Sequence, residues 1–542
     1  MKCLMILLSA ALLAGAFQEK QQEQAKPAVE EKKASIEGTI VDGVSGSPLK
    51  NVTVMSLPAT SGGSRASATT DEAGHYILKD LEAGKYMVYA RHPRHVLQMY
   101  GSRGRSMAGT PLNLAAGQAL KGIDFKLQPN AVISGKVLDE ENEPLKDVSV
   151  SALAPVYQRG RRQYAPTGGM ANTNDLGEFR ISNVAAGKYL VVAIPRMQGG
   201  GAPAEDGTES AYLPTYYPNS PDASGAAPVT VTAGTEVGGT DIRLIKTKAV
   251  RVRGKVLGMT AGQRLYVQLR QKDGGMLGMM PGRGAPVKPA DGSFEITAVT
   301  PGSYVLHVRD GSAPRSGGVS VPLEVGDRPV SGVTMDFVLP PDVSGEIVFD
   351  GEQSQKPTFK AQRIVLEATD VGLAQAMATA AEDGTFQLKS VSPGKYFVRM
   401  MPAPEGTYVS SVTLGGQRMA DDGLEIPPGG GGKLEIKLRA GAAQVEGTVQ
   451  DAEGQPVSGA MVAMIPKSKS YLLYQLSGAD QKGAFTFKNV TPEDYLLLAV
   501  QDMEPGAHMD PEFVKRYESK GEKLTLKEND RKGVTLKLIP KE

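Results

Sequence analysis

Five times along the chain one spaced pattern recurs: a glycine, an aromatic residue two positions on, a second turn residue at the tenth position and a tyrosine at the twelfth. The first glycine is Gly74, Gly177, Gly292, Gly384 and Gly483. The aromatic is Tyr76, Phe179, Phe294, Phe386 and Phe485. The tenth position holds Gly84, Gly187, Gly302 and Gly394, with Glu493 as the exception, and the twelfth holds Tyr86, Tyr189, Tyr304, Tyr396 and Tyr495. A period of roughly 90–120 residues is the size of one small domain, so the pattern divides the chain into tandem units rather than into the short turns of a solenoid.

Two more markers frame each unit. The opening one reads Gly38-Thr-Ile-Val-Asp42, Gly135-Lys-Val-Leu-Asp139, Gly254-Lys-Val-Leu257, Gly345-Glu-Ile-Val-Phe-Asp350 and Gly447-Thr-Val-Gln-Asp451. The closing one alternates apolar residues, as in Ile123-Asp-Phe-Lys-Leu127, Leu434-Glu-Ile-Lys-Leu438 and Val534-Thr-Leu-Lys-Leu538. Phe179-Arg-Ile181 and Phe386-Gln-Leu388 alternate with period two, which buries one face of a strand and wets the other. Asp291-Gly292 and Asp383-Gly384 are tight-turn dipeptides, and Pro301-Gly302 and Pro393-Gly394 supply the next turn. Tyr189 to Ile194 is almost continuously apolar and reads as a central strand. Short strands with turn signals every 8–12 residues or so predict an all-β chain of five tandem antiparallel β-sandwiches, each of about seven strands. The tyrosine at the twelfth position is expected to be a core or corner residue.

The divisions expected are a signal peptide at 1–16, a flexible leader at 17–34, and sandwiches at 35–128, 131–247, 249–339, 342–439 and 443–542. Lys2, the apolar run Leu4 to Leu13 and the small-x-small Ala14-Gly15-Ala16 form an export signal too short to span a membrane. A lipoprotein would carry Cys after Leu-Ala-Gly, where Ala16 stands; the sole Cys, Cys3, lies in the segment to be removed. Gln18 to Lys33 has too few large apolar residues to bury a core. The very short linkers predict an extended rod with limited bending.

Gly-x-Val-x-Asp, Pro-Leu-x-x-Val-x-Val, Thr-Asn-Asp-x-Gly-x-Phe-x-Ile and Ala-Gly-Lys-Tyr run from Gly135 to Val150 and from Thr173 to Tyr189. They resemble the carboxypeptidase regulatory-like domain, whose fold is similar to transthyretin, collagen-adhesin B-type repeats and starch-binding-like sandwiches. The resemblance is clearest in units one, two and five; unit three departs at Leu257-Gly258, and unit four lacks the Pro-Leu turn. It implies a sandwich with an accessory role and no catalytic residues.

Composition narrows the functional classes. Sixty Lys and Arg against 59 Asp and Glu give no case for nucleic-acid binding. One Cys excludes a disulfide scaffold. No His-x-x-Glu or His-Glu-x-x-His is present, so the zinc-peptidase pattern is missing. His92 and His95 are the only close His pair; no third ligand is near them in sequence, and Arg91 and Arg94 would repel a cation. No Gly-x-Ser-x-Gly elbow or phosphate loop occurs; Gly199 to Gly201 and Gly429 to Gly432 read as loops. The isopeptide crosslinks of some resembling adhesin repeats need an Asn in the closing strand, and none recurs beside Lys136 and Lys255. No catalytic residue, metal or cofactor is therefore expected, and no enzyme.

The candidate contact residues are aromatic. Tyr212, Tyr216 and Tyr217 lie in a Pro-containing loop after the apolar strand of unit two, and Tyr100 and Tyr517 occupy insertions in units one and five. Exposed tyrosines stack on sugar rings or anchor a protein contact, though the absence of Trp weakens a sugar platform. Beside Tyr517, Asp510-Pro511-Glu512 opens a helix and Gly521 closes it. Arg103, Arg105 and Arg159 to Arg162 are expected at solvated hairpin tips or against an anionic polysaccharide. The sequence reads as a monomeric, non-catalytic, carbohydrate-binding-like protein, secreted or periplasmic and without a membrane span, with a spacer or protein-interaction scaffold as the alternative. Its partner is a polysaccharide or an envelope protein.

Overall fold

A computed structural model describes residues 32–540 apart from 60–63, 103–108, 196–208, 261, 273–282, 312–317, 353, 355 and 370–374. The export signal, most of the leader, Gly199 to Gly201, Arg103 and Arg105 lie outside the described residues. The chain is all-β, with five tandem two-sheet sandwiches. In the first, the opening strand Ala34–Asp42 pairs antiparallel with His75–Leu81 and parallel with Phe125–Leu127. The facing sheet joins Ser67–Thr69, Thr53–Pro58, Gly84–Arg91 and Leu112–Leu114. Between them lie Ile36, Ile40, Val54, Leu78, Val88 and Phe125. Four further apolar cores repeat this arrangement.

Pairing departs from the antiparallel expectation at one place in every unit. The closing strand runs parallel to the opening strand: Ile242–Arg243 along Ala131–Leu138, Val330–Asp336 along Lys246–Leu257, Leu434–Ala440 along Val343–Asp350 and Arg531–Lys537 along Ala443–Gln450. The geometry follows from tandem order. A chain that enters a sandwich at one end and leaves at the other must have first and last strands pointing the same way.

The recurring residues have definite tasks. The turn glycines adopt φ of 75°, 68°, 70°, 95° and 73° in chain order, a region that costs other residues dearly. Each turn carbonyl accepts from the opening strand, as in Val137 N to Gly177 O at 2.8 Å and Val449 N to Gly483 O at 2.9 Å. The opening glycine lies opposite the aromatic two positions after the turn: Gly135 faces Phe179 and Gly447 faces Phe485. Removing the side chain there lets ring and closing strand approach together. The tyrosine is a corner, as expected: its buried hydroxyl donates to the carbonyl four residues earlier in all five units, at 2.6–3.0 Å.

A fifth recurrent position escaped the sequence pattern. Asp80, Asn183, Ala298, Ser390 and Asn489 all have positive φ, between 50° and 59°. Asn and Asp tolerate that conformation, Ala and Ser poorly, so residue type alone does not mark it.

One consequence is measurable. Tyr495→Phe removes the 2.8 Å bond to the Thr491 carbonyl while keeping the ring, and is expected to destabilise unit five by about 1–2 kcal/mol. Faster amide exchange confined to Ala484–Val490 and Asp494–Val500 is the readout.

The extended rod is corrected by the structure. Unit five folds back onto units one, two and four. Asn113 Nδ2 donates to Asp480 Oδ2 at 2.7 Å, joining unit one to unit five. The long hairpin Ser149–Gln158 and Arg161–Asn172 of unit two reaches unit five, where Tyr157 N donates to Pro505 O at 2.9 Å and Tyr157 packs on the apolar cluster that contains Ile465, Met503 and Tyr517. The expectation for the Arg159 tip is likewise corrected. Its guanidinium donates to the carbonyls of Ala368 and Thr369 in unit four and lies over the rings of Phe397 and Tyr471, 5.6 and 5.9 Å from their centroids. Linker length alone did not reveal the closure, because hairpin and helical insertions make it. The helix forms at Pro511–Tyr517, with the Asp510 side chain accepting from Glu512 N.

His508, in the turn before that helix, is 3% exposed, and its Nδ1 has no hydrogen-bond partner among the described residues. Burial lowers its pKa to about 4. Above the ordinary value near 6.5 both folded and unfolded chains hold it neutral. As pH falls from 6.5 towards 4 only the unfolded chain gains the proton, so stability declines over that window by about 3 kcal/mol. Thermal melting of unit five is expected to drop more steeply in that range for the parent than for His508→Gln.

Candidate functional site

The first two sandwiches meet at a stiff junction. Val96 N donates to Gln128 O at 2.9 Å, and Asn130 N to Arg94 O at 2.9 Å. The Asn130 carboxamide donates to Pro93 O at 3.3 Å and to Asn183 Oδ1 at 2.8 Å. Asn183 is the left-handed residue of unit two, so the recurrent bulge places its amide at the boundary. An open cleft of about 620 Å³ remains between the units, lined by the 48–51 loop, the 92–95 turn, the linker Pro129-Asn130, Ser182-Asn183 and Gly234.

A three-member hydrogen-bond chain stands in this cleft. Asp42, at the end of the opening strand, accepts from the amides of Val44 and Ser45 at 2.9 and 2.8 Å. Its other oxygen lies 2.9 Å from His95 Nε2, and His95 Nδ1 lies 2.8 Å from His92 Nδ1. The backbone amide of Ser45 and the His95 ring hold the Asp42 carboxyl far below the usual carboxylate range. Burial, His95 and Arg94 push His92 below its ordinary value. An ionised Asp42 only accepts, so His95 Nε2 carries a proton and donates to it. The backbone amide of Arg94 also donates to His92 Nδ1, at 3.4 Å.

The His pair singled out by sequence therefore has a third member, Asp42, 53 residues upstream. Only the fold reveals it. The signal available was that Asp42 closes the opening motif, a position also filled by Asp139 and Asp451, with Asp350 one residue further on in unit four. Among the described residues no group of three or more His, Cys, Asp or Glu has an arrangement to hold a metal.

The tyrosines are not brought together. Tyr100 sits edge-on to Phe125, centroids 5.8 Å apart, and packs on the core of unit one. Tyr212 lies on Glu209–Tyr212, a strand that leaves unit two and pairs with Lys246–Leu257 of unit three; its hydroxyl donates to Glu140 at 2.8 Å. Tyr216 packs with Leu153, Leu190 and Val192 on the outer sheet of unit two, and Tyr217 against that unit's core. Tyr517 is 8% exposed and edge-on to Phe513. All five rings make contacts within the protein.

With fold and cleft in view, comparison with known proteins places the first unit. Residues 35–128 match the carboxypeptidase regulatory-like domain. One wall of the cleft, with Asp42, His92 and His95, thus lies in the unit that matches this domain, and the other in the unit that follows. No curated protein matches the chain in sequence. Among solved structures, a minor pilin of Streptococcus agalactiae is 13% identical, covering 40% of this chain and 96% of its own, with a TM-score of 0.22. Two B repeat units of the Staphylococcus aureus collagen-binding protein are 11% identical, covering 69% and 93%, with a TM-score of 0.15. The major pilin subunit of Bacillus cereus is 12% identical, covering 56% and 99%, with a TM-score of 0.15.

Proposed function

We propose that this chain is a non-catalytic, extracytoplasmic binding scaffold: sandwiches bounded near residues 128–131, 247–249, 339–342 and 439–443, closed on one another, with the junction of the first two as the recognition surface. The observation that carries the reading is the closure. Hairpin, helix and aromatic insertions that would otherwise be free to grip a ligand are used to join units one, two, four and five. The signal-like start at Lys2 to Ala16 supports export, and among the described residues no helix is long and apolar enough to cross a membrane. The tyrosine-platform version of carbohydrate binding is less favoured, because the five rings are engaged internally.

Co-sedimentation with insoluble polysaccharides tests this. Tyr216→Ala and Tyr217→Ala are expected to leave any retention unchanged. Retention abolished by either substitution, in a protein that still melts like the parent, would favour the tyrosine platform. Substrate hydrolysis abolished by one point substitution would overturn the non-catalytic reading.

A further inference from the structure

We infer that the cleft between units one and two binds the carboxylate of an acidic, uronate-bearing polysaccharide, with Arg94 as the anion contact and the asparagine amides as hydroxyl contacts. The inference rests on the reading of this junction as the recognition surface and is independent of the closure.

The charge of the lining points first to an anion. Its one acid, Asp42, already accepts two backbone amides and the His95 ring. Arg94 is exposed, and among the described residues its guanidinium has no carboxylate partner. Lys50 is paired only with Glu72 at 3.1 Å, across two largely exposed side chains, a weak and screened contact. Charge left over in the cleft is therefore cationic, and a guanidinium matches a carboxylate in shape as well as sign.

The neutral lining points to a sugar. Asn130 uses its amide donors on Pro93 O and Asn183 Oδ1, so the cleft keeps the whole Asn51 carboxamide, the Asn130 Oδ1 acceptor and the Asn183 Nδ2 donor, with Ser182 beside them. Together they offer donors and acceptors, as a row of hydroxyls requires. Pro48, Pro93 and Pro129 add rigid apolar surface for the C–H face of a ring. The cleft volume of about 620 Å³ lies within the range of small-ligand sites, about 300–1,000 Å³.

Titration calorimetry of the full chain with oligogalacturonate, a neutral oligosaccharide of matched length and polyglutamate tests the assignment. Saturable binding of oligogalacturonate is expected, about tenfold or more tighter than the neutral chain, and weakened about tenfold by Arg94→Ala. Asn51→Ala, a second exposed position, is expected to weaken it less. No binding of oligogalacturonate, equal binding by Arg94→Ala, equal binding of the neutral chain, or tighter binding of polyglutamate would each overturn the inference.

Discussion

Arg159→Ala is expected to loosen the junction of units two, four and five. The guanidinium donates to two main-chain carbonyls and lies over two rings. Hydrogen bonds from a charged donor contribute about 1.5–3 kcal/mol each, and a cation over an aromatic face about 0.5–2 kcal/mol. Arg159 is only partly buried, so solvent screening brings the whole contact below the sum of these ranges, to about 2 kcal/mol. The hairpin amide of Tyr157, bonded to Pro505, is then expected to exchange about 30-fold faster. Removing the Tyr157 ring as well takes away the apolar part of the contact with the cluster that contains Ile465, Met503 and Tyr517. Small-angle scattering of Arg159→Ala with Tyr157→Ala is expected to show a larger radius of gyration than the parent. An unchanged scattering curve and an unchanged Tyr157 amide would refute the part given to this contact.

Gly447→Val is expected to remove unit five altogether. A Cβ at this position lies 2.2 Å from Val534 O and 2.7 Å from the Phe485 ring. The first is the backbone of the closing strand, which the unit cannot move without losing its parallel pairing; the second is the ring that fills the corner of its core. Both must shift, so the cost is expected at about 4 kcal/mol or more, in the exceptional class for a single substitution. Gly533→Ala is the control: it lies in the closing strand opposite Glu446, with no atom within 4 Å of an added Cβ. Loss of one calorimetric transition in the first variant and its retention in the second is the predicted outcome. Because unit five is the one that folds back, Gly447→Val should also free the Asn113 and Tyr157 contacts.

Sequence made the inside of each unit readable and left the outside dark. The turn glycines, the opposed aromatics and the corner tyrosines are local: each obeys a spacing fixed by strand alternation and turn geometry, so Gly177, Phe179 and Tyr189 disclose their positions without reference to the rest of the chain. The parallel partner of the opening strand was not legible, since its residues alternate in the same way whichever direction the strand runs. The closure was less legible still. Arg159 beside Gly160 carries the composition of a wet hairpin tip, and nothing in the neighbouring residues announces carbonyls more than 200 positions away. The cleft shows both limits at once. His92 and His95 stood out as a pair, but Asp42 joined them only through the fold, and the asparagines of its second wall belong to another unit.

The parallel pairing of first and last strands also bears on how such a chain would carry load. Pulling on the two ends of a unit draws neighbouring strands past each other lengthwise, as from Ala443 towards Lys537 in the last one. Every rung of that ladder is then strained together, in shear, rather than opened one after another like a zipper. The contacts that fold unit five back join separate surfaces and involve few bonds, so they would give way first. A taut chain would therefore lengthen by unhooking its units before any sandwich lost a strand, and would shorten again when slack.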